Sequence, residues 1–194
     1  MLYLLSGIGV CDTTVINFEN LPGNGIVNNQ YSDLGVTFND LFGTHNYYPA
    51  GFVAHSGSYY VGRFVNMTTS IVDPIEIRFQ PDVSRIKLWV GYILPFGIKS
   101  GTNSQETVVM SAYDDNGNSV GQDSAIITIG PQGYSSIQTP LEIQAPITTK
   151  SNAKSAIAKV TIGLSDGKNN GLCIDDVEFD TPGAPLSPKI GSGG

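Results

Sequence analysis

Ile75-Glu76-Ile77-Arg78-Phe79-Gln80 and, beyond Pro81-Asp82, Arg85-Ile86-Lys87-Leu88-Trp89-Val90 are the runs from which the architecture is read. In the first, Ile75, Ile77 and Phe79 point one way and Glu76, Arg78 and Gln80 the other. In the second, Ile86, Leu88 and Val90 oppose Arg85, Lys87 and Trp89. A period of two with one apolar face belongs to strands of antiparallel sheets covered on one side. Ala158, Val160 and Ile162 against Ile157, Lys159 and Thr161 repeat the pattern. Strand-like runs cover 13–18, 35–39, 59–66, 74–79, 84–91, 106–113, 124–129, 141–145, 156–163 and 172–179. They are rich in Val, Ile, Thr and aromatics and are punctuated by Gly, Pro, Asn or Asp. No window beyond about ten residues keeps a 3.6-residue apolar stripe, so little helix is expected. Asp114-Asp115-Asn116-Gly117-Asn118 separates two runs, and Asn-Gly supplies the positive φ angles of a tight hairpin. About ten short strands suit two stacked layers better than an α/β scheme. The sequence predicts an all-β fold: a two-sheet antiparallel β-sandwich of jelly-roll topology.

Composition narrows the function. The 194 residues carry 10 Lys and Arg against 17 Asp and Glu, a net charge of −7. That length suits one domain with a real core. Charged residues are 14% of the chain, below the ~25% of an average soluble protein. An acidic balance with scattered basic residues argues against a nucleic-acid phosphate surface. No apolar run reaches the ~18 residues of a membrane-spanning helix. The sandwich is assigned to residues 13–180. Residues 1–12 read either as a truncated signal peptide, from the apolar run 2–10, or as an extra strand. Residues 181–194, with three prolines and four glycines, read as a disordered tail or linker. Cys11 and Cys173 are the only cysteines, and Asn66-Met67-Thr68 fits the N-glycosylation pattern.

Three pieces carry a family resemblance. Ile16-Asn17-Phe18-Glu19-Asn20-Leu21-Pro22-Gly23, continuing through Asn29-Gln30-Tyr31 and Leu34-Gly35-Val36-Thr37-Phe38, resembles the opening of secreted jelly-roll modules. These are of the galactose-binding-like, carbohydrate-binding type. Residues 112–118 and Ile174-Asp175-Asp176-Val177-Glu178-Phe179 fit the same pattern. The resemblance implies that first and last strands lie side by side. It also implies a structural Ca²⁺ held by Glu19 with Asp175 or Asp176. Calcium takes six to eight oxygens, which carboxylates and loop carbonyls supply. Alternation puts Cys173, Asp175, Val177 and Phe179 on the apolar face, where Asp175 needs a metal or hydrogen-bond donors such as loop N–H groups. With residue 19 opposite residue 175, Cys11 would face the neighbourhood of residue 183, more than ~25 Å from Cys173, so a disulfide requires residues 1–12 to fold back, and two buried or free thiols are expected otherwise.

The segment from Asp40 to Tyr60 reads as an aromatic loop with Phe42, Tyr47, Tyr48, Phe52, Tyr59 and Tyr60. An outward Trp89 with Tyr92, Tyr47, Tyr48 and Arg85 would form a platform on which sugar rings stack. The same aromatics could equally pack a core or cover loop bases. Catalysis has little support. His45 and His55 lack a third ligand at metal-site spacing, and no nucleophile motif stands out. Glu76, Glu106 and Glu142 lie on strands, but sequence alone sets no pair ~5–10 Å apart for glycoside hydrolysis. The sequence therefore predicts a secreted, extracellular, non-catalytic module binding an extracellular glycan or surface component, steadied by Ca²⁺. The alternative is a self-assembling structural subunit of an extracellular layer, sheath or filament, in which residues 1–12 or the Pro/Gly tail add to a neighbour's sheet edge.

Overall fold

A computed structural model describes residues 12–45, 51–63, 73–94, 101–146, 156–169 and 171–181. Their strands, in chain order, are β1 (Asp12–Ile16), β2 (Gly25–Val27), β3 (Val36–Phe38), β4 (Leu41–His45), β5 (Tyr59–Gly62) and β6 (Ile75–Val83). There follow β7 (Arg85–Ile93), β8 (Ser104–Tyr113), β9 (Ser119–Ile129), β10 (Tyr134–Gln144), β11 (Ile157–Leu164) and β12 (Leu172–Thr181). The helical content among the described residues is one 3-10 turn, Ser32–Leu34, and no helix there is long and apolar enough to cross a membrane. The larger sheet runs β10-β7-β12-β5-β4-β2 with β1 also beside β12, and the smaller runs β3-β6-β11-β8-β9. From β5 to β8, and again from β9 to β12, each connection crosses to the other sheet, which is the jelly-roll wrapping. The fold is the two-sheet antiparallel sandwich that alternation implied.

The inward residues are those the period of two selects. Ile75, Ile77 and Phe79 meet Ile86, Leu88, Val90, Val160 and Ile162 in one core between the sheets. Ile157 joins them because the β11–β6 register slips between Ile157 and Lys159. Phe18, Tyr31 and Phe38, from the family-like opening, close one part of that core edge to face, with centroids 5.7–6.1 Å apart. The 114–118 turn joins β8 to β9, where Asp114 Oδ1 accepts the N–H of Asn116 and of Asn118 at 2.9 and 2.7 Å.

β1 and β12 pair antiparallel, from Asp12 opposite Thr181 to Ile16 opposite Val177. The two ends of the domain thus run together, as the family resemblance implied. The face assignment within β12 is corrected. Asp175 stands opposite Trp89 and Glu178 opposite Lys87, so β12 holds one residue more than β7 there. Asp176, at φ 44°, makes this bulge, and a bulge shifts side chains from one face to the other. Val177 and Phe179 point between the sheets, whereas Cys173 points out on the far side. Cys173 is a buried free thiol, and Cys11 lies outside the described residues. So do the sequon at Asn66, residues 1–11 and residues 182–194, whereas Asp12 and Thr181, assigned to the leading segment and the tail, are the end residues of β1 and β12.

Two strands escaped the sequence reading, β2 and β4. The segment read as a single aromatic loop contains β4 and ends in β5. Gly43 hides the alternation of β4: a Cβ there would come 2.8 Å from Leu21 Cδ1 and 3.1 Å from Val27 Cγ2. The apolar slot is filled by a neighbour, so the strand carries no apolar residue of its own at that point.

Candidate functional site

The outer face of the larger sheet is partly roofed. Residues 51–58 cross it and bury Phe52 and Ala54 against Trp89, Tyr60, Ile137 and Cys173, a second apolar cluster. Trp89 is on the outer face, as alternation placed it, but only 9% exposed. The His55 ring stacks on it at 3.9 Å and 14°, and the Lys87 ammonium lies 4.5 Å from its centroid. Tyr92 belongs to the opposite face, in the core between the sheets, and burial pushes its hydroxyl up to about 12. Its parity with Ile86, Leu88 and Val90 already assigns it there. Arg85 faces outward, where it binds Glu142, Glu178 and Asp180 at 2.7, 3.3 and 3.4 Å. The hydrogen bond to Glu142, ahead of the cost of burial, raises its pKa. Tyr47 and Tyr48 lie outside the described residues. The structure does not bring Trp89, Tyr92 and Arg85 together as one sugar platform.

Glu19, Asp175 and Asp176 do converge, on the backbone of residues 55–59. Glu19 Oε1 accepts the N–H of Ser58 and of Tyr59, each at 2.7 Å. Asp175 Oδ2 accepts the Ser56 N–H at 3.0 Å, and its Oδ1 the Asp176 N–H at 2.8 Å. Asp176 Oδ1 accepts the Ser56 hydroxyl at 2.7 Å, with His55 Nε2 3.8 Å from Oδ2. Among the described residues, no three of His, Cys, Asp and Glu are grouped to hold a metal ion. The three carboxylates expected as calcium ligands thus face N–H and O–H donors of the chain itself. Nor is Ser56 set up as a nucleophile: it donates to a carboxylate, not to the imidazole that would have to take its proton.

Glu76 and Glu142 lie in different sheets, bound to Arg78 and Arg85 respectively. Glu106 is five residues along β8 from Ser111, which stands in the row of Glu76. At ~3.4 Å per residue that exceeds the ~5–10 Å a glycosidase pair needs.

The outer face of the smaller sheet is the more open surface. Thr37, Arg78, Lys159 and Tyr113 stand opposite one another across β3, β6, β11 and β8. Glu76, Thr161, Ser111 and Gln122 form the row beside them. Arg78 binds Glu76 at 2.7 Å, and Lys159 reaches Glu76 at 3.7 Å while lying 5.1 Å from the Tyr113 ring centroid. Beside this row is a cleft of about 770 Å³ lined by Thr37, Arg78, Gln80, Asp82, Asp115 and Lys159 among others. It is walled at one end by the β8–β9 turn. Sequence reading missed this constellation. Alternation does turn Arg78 and Lys159 outward, but their adjacency depends on strand order and register, which no local pattern encodes.

No protein-family model matches the chain, and no curated protein matches it. Solved structures do. A DUF4465 family protein from Bacteroides caccae matches at TM-score 0.50 and 16% identity, over 87% of this chain and 98% of its own. An arabinose-bound α-L-arabinofuranosidase matches at TM-score 0.50 and 10% identity, over 84% of this chain but 25% of its own. A family 11 carbohydrate-binding module from Clostridium thermocellum, in complex with a β-1,3-1,4-mixed-linked tetrasaccharide, matches at TM-score 0.35 and 13% identity, over 90% of this chain and 96% of its own. At these identities the likeness is one of fold, a β-sandwich.

Proposed function

We propose that this protein is a non-catalytic carbohydrate-binding module whose ligand lies along the open face of the smaller sheet. The observation that carries this reading is the cross-strand row Thr37, Arg78, Lys159 and Tyr113 beside the cleft. Sugars present hydroxyls, which such donors and acceptors bind, and C–H faces, which an aromatic edge meets. Arg78 keeps an exposed, planar fork after binding Glu76, with 62% of its side chain in solvent. The cleft's size lies within the ~300–1,000 Å³ of small-molecule sites. Its mixed charges, two cations among several carboxylates, favour a neutral, hydroxyl-rich ligand over a polyanion.

Affinity electrophoresis against neutral polysaccharides tests this. Retardation is expected for the wild type and is reduced at least about tenfold in affinity by Arg78→Ala or Lys159→Ala, the loss of one charge-assisted hydrogen bond. Lys87→Ala, on the far sheet, should leave it unchanged. Equal loss in all three variants, or no retardation by any glycan, would remove the reading.

A second reading, assembly through sheet edges, draws on Val15 and Ile26, 51% and 53% exposed on β1 and β2. Sedimentation velocity over a concentration series separates it from the first: a monomer throughout would exclude it.

A further inference from the structure

We infer that Glu19, Asp175 and Asp176 form a metal-free clasp that holds residues 51–59 shut over Trp89. The three carboxylates come from different places, Glu19 from the turn after β1 and the two aspartates from the β12 bulge. They accept the backbone N–H groups of His55, Ser56, Ser58, Tyr59 and Asp176, and the Ser56 hydroxyl. The same donors oppose a cation: an ion seated at these oxygens would meet the positive ends of the N–H dipoles, whereas Ca²⁺ requires six to eight oxygens turned toward it.

The backbone of the strap is shaped for this contact. Gly57 has φ 52°, and a Cβ there would overlap the Glu19 carboxylate. The other margin of the strap is tied to β10. Val53 N–H donates to Ser136 Oγ at 3.1 Å, Ile137 N–H to the Val53 carbonyl at 3.0 Å, and Gln138 Nε2 to the Ala54 carbonyl at 3.1 Å. Between the two margins, Phe52, Ala54 and His55 cover Trp89. Opening the clasp therefore uncovers the indole while the β10 margin and the main core stay in place.

Trp89 is the single tryptophan of the chain, so its fluorescence reports on the strap directly. In the full-length protein, millimolar calcium chloride and EDTA are each expected to leave the melting temperature and acrylamide quenching of Trp89 unchanged. Glu19→Ala should raise the quenching constant about twofold or more and shift emission to the red, through local opening with the far-UV spectrum retained. Glu19→Gln keeps an oxygen that can accept both N–H groups and should stay close to the wild type, an outcome a calcium ligand would not show. Ser56→Ala, which removes one hydroxyl, serves as a milder probe and should raise quenching by a smaller factor. The inference is overturned if calcium raises the wild-type melting temperature, if EDTA exposes Trp89, or if Glu19→Ala leaves quenching at the wild-type value.

Discussion

Asp175 is fully buried, and burial pushes its pKa up to about 7 against the opposing pull of the N–H groups it accepts. The neighbouring Asp176 charge pushes the same way. A carboxyl whose folded pKa is raised binds its proton more tightly folded than unfolded. Its contribution to stability is complete below about pH 4 and is lost as pH rises to about 7, where the buried group ionises. Asp175→Asn has no such titration. The melting temperature of the wild type minus that of the variant should therefore fall between about pH 4 and pH 7 and level off above. A flat difference across that range, measured by calorimetry, would show that Asp175 stays ionised throughout. Trp89 illustrates the opposite limit of local reading. Its outward parity was legible, but Phe52, Ala54 and His55, which roof it, lie 34 to 37 positions earlier in the chain, and no period of two announces a covering loop.

Among the elements, long strands with a polar face were legible and short ones were not. β6 and β7 alternate openly between apolar and charged residues, and β11 between Val or Ile and Lys or Thr. β2 has three residues, too few to show a period, and β4 places Gly43 where an apolar side chain would have marked it. That glycine makes a prediction. Gly43→Val would push a branched side chain into Leu21 and Val27 and should cost about 1–3 kcal/mol in urea denaturation, the range for overpacking a filled core. An unchanged midpoint would mean that the β2–β4 corner yields freely. β12 alternated in sequence as well, yet its single added residue at the bulge sends Cys173 and Val177 to opposite faces. Strict alternation fails where one strand holds a residue its neighbour lacks. The candidate site was illegible for a related reason: Arg78 and Lys159 are 81 positions apart in sequence and become neighbours only through the β6–β11 register.

At the scale of the molecule, the sandwich separates two kinds of outer surface. The larger sheet carries the clasped strap and the Arg85 carboxylate cluster, and the smaller carries the open polar row. A glycan laid on the smaller sheet would be remote from the strap, so variants of the two surfaces should act independently. The β1–β12 ladder has a different consequence. Since Asp12 and Thr181 are paired residues, directly opposed Cα atoms there are only ~5 Å apart. Thr181 can be bridged to Asp12 by a few glycines and the chain reopened at Asn116-Gly117, on an exposed turn. Such a rewired polypeptide should regain the parental far-UV spectrum and Trp89 emission, and failure to do so would show that the order of synthesis matters to this fold. The same geometry gives the sandwich one common doorway, where the chain enters β1 and leaves β12 side by side.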